Sequence, residues 1–138
     1  MAVYNKFQVF VQDIGQGVHN LNTGALTVAL CAAANAPVAT NTVLANLVQI
    51  AYTNLSTRVL AGTSWTHTTG TATGAATDHV LTATGAGATF RYVVIYNDTP
   101  TAPADPLIAW YDHGSDVTLA NGETYTVDFT GGWATIPA

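Results

Sequence analysis

The sequence predicts a mainly β fold, an antiparallel β-sandwich or jelly-roll-like domain with one N-terminal amphipathic helix. Three observations carry this expectation. From Gly24 onward the chain is filled by Thr, Val, Ile, Tyr and Trp, residues that suit a pleated, half-buried surface. Gly, Asn and Pro punctuate them at short intervals, as turns between strands require. Before Gly24 the period changes: Phe7, Phe10, Val11, Ile14, Val18 and Leu21 recur at spacings of three and four, one apolar face of a helix.

The helix is expected over residues 4–19, with Gly15 and Gly17 weakening its end. Strands are expected at 25–31, 55–60, 64–68, 79–84, 88–97, 106–112, 116–119 and 123–129. Between residues 37 and 53 the pattern is irregular, with one helical turn suggested by Val43, Leu44 and Leu47. Residues 68–77, TTGTATGAAT, read as a flexible low-complexity loop. In 88–97, Phe90, Tyr92, Val94 and Tyr96 alternate with Val93 and Ile95, so both faces are apolar and the strand should be central, with Arg91 near its end. NDTPTAPADP carries three prolines and cannot pair in a ladder, which makes it the loop into LIAWYD. There Ile108 and Trp110 should share one face, and Leu107, Ala109 and Tyr111 the other. DHGS reads as a corner between strands, and Asn121-Gly122 as a hairpin turn.

At 138 residues the chain reads as one domain, residues 1–138, with the helix at about 4–19 and an apolar tail at 131–138. Charged residues are 8% of it, three basic and eight acidic, against ~25% in an average soluble domain. So sparse a charge predicts an exterior largely covered by other subunits, hence a component of an assembly. The net charge of −5 and the scattered Lys6, Arg58 and Arg91 leave no cationic stripe for phosphates, which argues against nucleic acid as a partner. The most apolar stretch, 25–39, is interrupted by Thr27, Asn35 and Pro37, so no membrane span is expected. MAVYNKFQVFVQDIG lacks the continuous apolar core of a secretory signal, and the chain is expected to stay where it is made until assembled. Cys31, the only cysteine, reads as a small buried hydrophobe, and Asn54 and Asn97 as loop residues without glycosylation.

Candidate chemistry is thin. Asp112-His113 suggests an acid–base pair, yet Ser115 lies in HGSD and not in a nucleophile elbow, so the dipeptide reads as a turn; Asp78-His79 repeats it beside the low-complexity loop. His19, His67, His79 and His113 lack metal-binding spacing, which leaves only a loop cation held by Asp105, Asp112 or Asp116 as a rival to plain solvated loops. Trp65, Trp110, Tyr111, Tyr125 and Trp133 are numerous enough for a carbohydrate platform, although strand positions explain most of them as core. No catalytic, cofactor-binding or metal residue is therefore assigned. Trp133 and Ile136, in the tail GGWATIPA, are expected to dock on their own domain or on a neighbour, and with Phe7 and Phe10 they are the candidate subunit-interface residues.

Four stretches, MAVYNKFQVFVQDI, ANAPVATNTVLANLVQI, FRYVVIYNDTPTAPADPLIAWYDHGS and VTLANGETYTVDF, together resemble a family of small virion-associated structural proteins of tailed bacteriophages. The resemblance spans nearly the whole chain except the middle around residues 60–77, and it brings no catalytic or ligand motif with it. It implies a place in the virion, reached after synthesis in the host cytoplasm. Joined to the composition, it leads to a capsid decoration or cement protein bridging major capsid subunits on the outer shell, as a homo-oligomer in a trimer or ring. The alternative is a tail, neck or fibre component. A wall hydrolase fits poorly, since the one glutamate, Glu123, sits beside the Asn121-Gly122 turn.

Overall fold

A strand with apolar side chains on both faces needs cover on both, and residues 88–97 obtain it as an inner strand of the largest sheet. A computed structural model describes residues 3–138. Along the chain run β1 (Val3–Lys6), α1 (Gln8–Gly15), β2 (Leu26–Cys31), short 3-10 turns at Ala33–Asn35 and Leu44–Asn46, β3 (Ser64–Thr68), β4 (Thr71–Ala75), β5 (His79–Thr82), β6 (Ala88–Asn97), β7 (Leu107–Leu119), β8 (Thr124–Val127) and β9 (Ala134–Ile136). Strands β1-β7-β6-β2 form one sheet in that order, β3-β4-β9 a second and β5-β8 a third, with antiparallel pairing throughout. The chain is mainly β, with one α-helix near the N-terminus, as its sequence predicts.

The layers follow from side-chain alternation. Leu26, Val28 and Leu30 of β2 join Val93 and Ile95 of β6 in a core that Leu81 and Val127 of the β5-β8 sheet close, together with Phe129 and Trp133 of the segment between β8 and β9. Ala29 and Cys31 point the other way, with Tyr92, Val94, Tyr96, Leu107 and Trp110, and Ala39, Leu44 and Leu47 of the irregular segment cover them. The result is a sandwich-like arrangement around a sheet buried on both faces.

Two bulges in the β6–β7 ladder revise the expected faces. Phe90 pairs with Val117, but Tyr92 pairs with Asp112, so four residues of β7 oppose Arg91 alone. The slip turns Phe90 to the side of Val93 and Ile95 instead of that of Tyr92. Between Ile95 and Tyr96 the register shifts again, Ile108 becomes the extra residue, and it packs with Ala109 and Tyr111 while Leu107 and Trp110 face the other layer. Strict period-two counting cannot see either insertion. The expected strands 106–112 and 116–119 are one strand, and the expected corner at DHGS lies in the bulge inside it, His113 to Asp116.

The helix is shorter than expected. Residues 3–6 instead pair with β7, Tyr4 opposite Tyr111, because an open sheet edge offers cross-strand hydrogen bonds that local periodicity does not register. Residues 68–75 belong to the β3–β4 hairpin and not to a loop, while 76–77 remain a connection: Thr68 and Thr71 are paired across Thr69 (φ 49°) and Gly70 (φ 85°). Two successive positive φ values are the backbone of a type I′ turn, which suits the twist of the flanking strands. The Asn121-Gly122 turn forms, with Glu123 N–H donating to Ala120 O at 3.0 Å, but β8 pairs with β5 and not with β7, so the turn joins two sheets. Residues 55–60 form isolated bridges at Leu55 and Val59 without a regular strand, and still bond β2 through Arg58 O to Val28 N–H.

Candidate functional site

The tail is part of the core. Trp133 is fully buried; its indole N–H donates to Ala75 O at 3.0 Å, its backbone N–H donates to Gly74 O at 2.8 Å, and its ring lies 5.7 Å from that of Trp65. Only glycine fits opposite, since a Cβ on Gly74 would lie 2.4 Å from the indole. Ala134–Ile136 then pair with β4, and Ile136 is half-buried. Phe7 and Phe10 are fully buried too, Phe7 with its ring 4.5 Å from Trp110 and Phe10 6.4 Å from Trp65.

Of the four expected interface residues, three thus face inward, and as interface candidates they are corrected. The reason is that the helix and tail themselves supply cover for the large sheet. The apolar residues left outside are others: Val3, Tyr4 and Val11 near β1 and α1, Val38 and Val48 on the irregular segment, and Val59 and Val80.

Beside the tail lies a cleft. Tyr111, from the middle of β7, is fixed by its hydroxyl, which donates to Trp133 O at 3.2 Å. Between Tyr111 and the run from β8 to Gly132 is a cavity of about 400 Å³, and a second of about 200 Å³ adjoins it, sharing Tyr111 and Gly132. Tyr125 forms part of the wall, held edge-on against Phe90 at 5.2 Å and against His113 at 5.8 Å. Asp128 lies on the rim; hydrogen bonds from Thr130, whose backbone N–H donates at 2.7 Å, hold its carboxyl below the usual range. Burial pushes the Tyr111 and Tyr125 phenols up, so both remain protonated donors at neutral pH.

The Asp112-His113 dipeptide serves the bulge. Asp112 accepts from both Arg91 Nε (2.8 Å) and its terminal nitrogen (3.1 Å), and from Gly114 N–H at 2.8 Å. The Arg91 hydrogen bonds hold its carboxyl below the usual range. His113 turns Nδ1 toward Ser115, 3.2 Å from its carbonyl and 3.4 Å from its hydroxyl. Asp78 and His79 stitch strands: Asp78 accepts from Phe129 N–H at 2.8 Å, and His79 Nε2 is 3.0 Å from Thr57 O. Among the described residues no three His, Cys, Asp or Glu side chains gather where a metal could be held. Asp105 sits instead beside Asp98 in the proline loop, where burial and that neighbouring carboxyl raise its pKa. No helix is long and apolar enough to cross a membrane among the described residues.

One polar cluster escaped sequence reasoning. The Asn97 side-chain amide donates to His19 Nδ1 at 3.3 Å, leaving Nε2, 3.9 Å from Asp13 Oδ2, as the protonated nitrogen. Both facing atoms are buried without a hydrogen-bond partner. Burial lowers the His19 pKa to about 4 and raises that of Asp13. His19 and Asn97 lie 78 positions apart, too far for any local motif to connect. Two of the three cations are also committed internally: Arg58 packs on the Tyr52 ring at 3.7 Å and donates to Val28 O, and Arg91 is held by Asp112.

No protein-family model matches the chain, and neither a curated protein nor a solved structure matches it.

Proposed function

We propose that the chain is a structural subunit of a tailed-phage virion, a decoration or cement protein that bridges major capsid subunits on the outer shell. The observation that carries this reading is the surface: large apolar side chains stand exposed on several separate parts of a chain with only 8% charged residues. With so few charges around them, Val3, Val38, Val48, Val59 and Val80 are surface that neighbouring subunits would cover. The resemblance of its four long segments to virion-associated proteins points the same way. With Arg58 and Arg91 committed internally, the net charge of −5 suits an outer position better than one against packaged DNA.

Bridging works by mass action. Each apolar contact buried on docking contributes about 25 cal/mol per Å², and a subunit that binds only the mature shell stabilises it by its binding free energy. The correction at Phe7, Phe10 and Trp133 moves the candidate contact surface to β1 and the outer side of α1. There Val3 is 61% and Val11 49% exposed, and β1 is an outer strand of its sheet. The test is the copy number in purified particles of the phage that encodes the chain. A number comparable to that of the major capsid protein is expected; a few copies per particle would move the chain to the tail, neck or fibre, and absence from the particle would overturn the reading altogether.

A further inference from the structure

The assembly reading leaves the cleft beside the tail unused. Its volume of about 400 Å³ falls within the ~300–1,000 Å³ typical of ligand sites. Val93 and Val127 give it an apolar floor. Tyr111 and Tyr125 supply two aromatic rings, and His113, Thr126, Asp128 and Thr130 supply polar groups. Both tyrosines are held before any ligand arrives, Tyr111 by its hydrogen bond to Trp133 O and Tyr125 by the edge contacts with Phe90 and His113. Walls fixed in advance lower the ordering cost of binding.

We infer that this cleft binds an uncharged carbohydrate. The lining argues for that class by elimination and by complementarity. No Lys or Arg lines the cleft, so a phosphate or an acidic sugar would meet the Asp128 carboxylate with no permanent cation beside it. A wholly apolar ligand would strip water from Asp128 and two threonine hydroxyls and return no hydrogen bond. A metal ion would find one carboxylate and no converging ligand set. A neutral sugar ring answers each group: its C–H face lies against an aromatic ring, and its hydroxyls both donate to Asp128 and exchange hydrogen bonds with Thr126 and Thr130. The adjoining cavity of about 200 Å³, which Tyr4 also lines, continues the cleft past Gly132 and gives space for a second ring. A short neutral oligosaccharide is therefore the expected ligand, and this holds whether or not the chain is a capsid subunit.

The experiment uses the isolated full chain. A glycan array identifies neutral binders, and the best of them is titrated into ¹⁵N-labelled protein, with tetramethylammonium chloride and inorganic phosphate as parallel probes. The expected result is that a neutral glycan shifts the amides of Tyr111, Tyr125 and residues 126–132. Asp128→Asn and Thr126→Val, both at exposed positions, should each weaken binding by roughly tenfold or more. Tyr125→Ala, checked for folding by its amide spectrum, should abolish it. The inference is overturned if no neutral glycan binds, if the shifts lie elsewhere, if only tetramethylammonium or phosphate moves these residues, or if affinity survives both Asp128→Asn and Thr126→Val. Capsid copy number has no bearing on any of these readouts, so the two proposals fail separately.

Discussion

Gly74→Ala adds one methyl group, and its effect should depend on whether Trp133 is present. In the native chain the new Cβ would lie 2.4 Å from the indole, which is fully buried and held by the hydrogen bond to Ala75 O. The ring can yield only by leaving that bond or pressing on Trp65, so overpacking should cost about 1–3 kcal/mol. Trp133→Ala removes the ring, leaves a cavity beside Trp65 and should cost about 3–5 kcal/mol, a large part of the ~5–15 kcal/mol that holds a domain together. In that background the Gly74 methyl group enters vacated space. Its φ is not in the left-handed region, so alanine should now be neutral or stabilise by about 0.4–1 kcal/mol, through the reduced entropy of the unfolded chain. The assay is urea denaturation followed by far-UV circular dichroism for the four members of the cycle. A sign reversal of the Gly74→Ala effect is the expected result. Simple additivity, or a Trp133→Ala cost below about 1 kcal/mol, would mean that the tail does not dock on its own domain.

Three further outcomes are expected. Because His19 is held neutral, with its pKa lowered from 6.5 to about 4, its contribution is complete above the unfolded value and is lost as pH falls through that window. Asp13, shifted upward, acts in the opposite sense, its cost easing as it protonates; an NMR titration should place the His19 midpoint near 4, and a midpoint near 6.5 would refute the buried assignment. Cys31 is fully buried with its thiol pushed up to about 11, so a thiol reagent at neutral pH should label it only on unfolding, and rapid labelling of the native chain would contradict its place in the second core. Asp112→Asn keeps the Gly114 contact but loses the Arg91 charge pair, and since that pair is solvent-screened the melting temperature should change little; a large drop in thermal denaturation would show that the bulge depends on the ion pair.

Local chemistry made some of the fold legible. β6 occupies the expected residues because apolar character on both faces marks an inner strand wherever its partners come from. The helical turn near Leu44 and the Asn121-Gly122 turn are likewise local. Legibility fails where a distant partner decides. Residues 3–6 follow the period of α1 and yet join β7, and the faces of Phe90 and Ile108 depend on a register that only the β6–β7 pair defines. The β3–β4 hairpin did carry a local signal, a two-residue Thr-Gly turn, hidden among small residues that resemble a loop. The aromatics weighed as a carbohydrate platform included Tyr111 and Tyr125, but nothing local set them on one cleft wall. Tyr111 and Tyr125 are separate strand residues until the bulge, the inter-sheet turn and the tail bring them to one wall.

Placing Trp133 at the centre of the larger core has a consequence for biosynthesis. Phe10 and Trp65 pack around a space whose last occupant is residue 133, and Ile136 closes the edge of β4. A nascent chain can form β3–β4 and the β6–β7 ladder while still tethered, but it cannot seal its interior until position 136 has cleared the ribosome. Until then Trp65 and the indole slot beside Gly74 stay open to water and to other chains. A chain truncated short of Trp133 should therefore be aggregation-prone, since Trp65 and the slot beside Gly74 would stay uncovered.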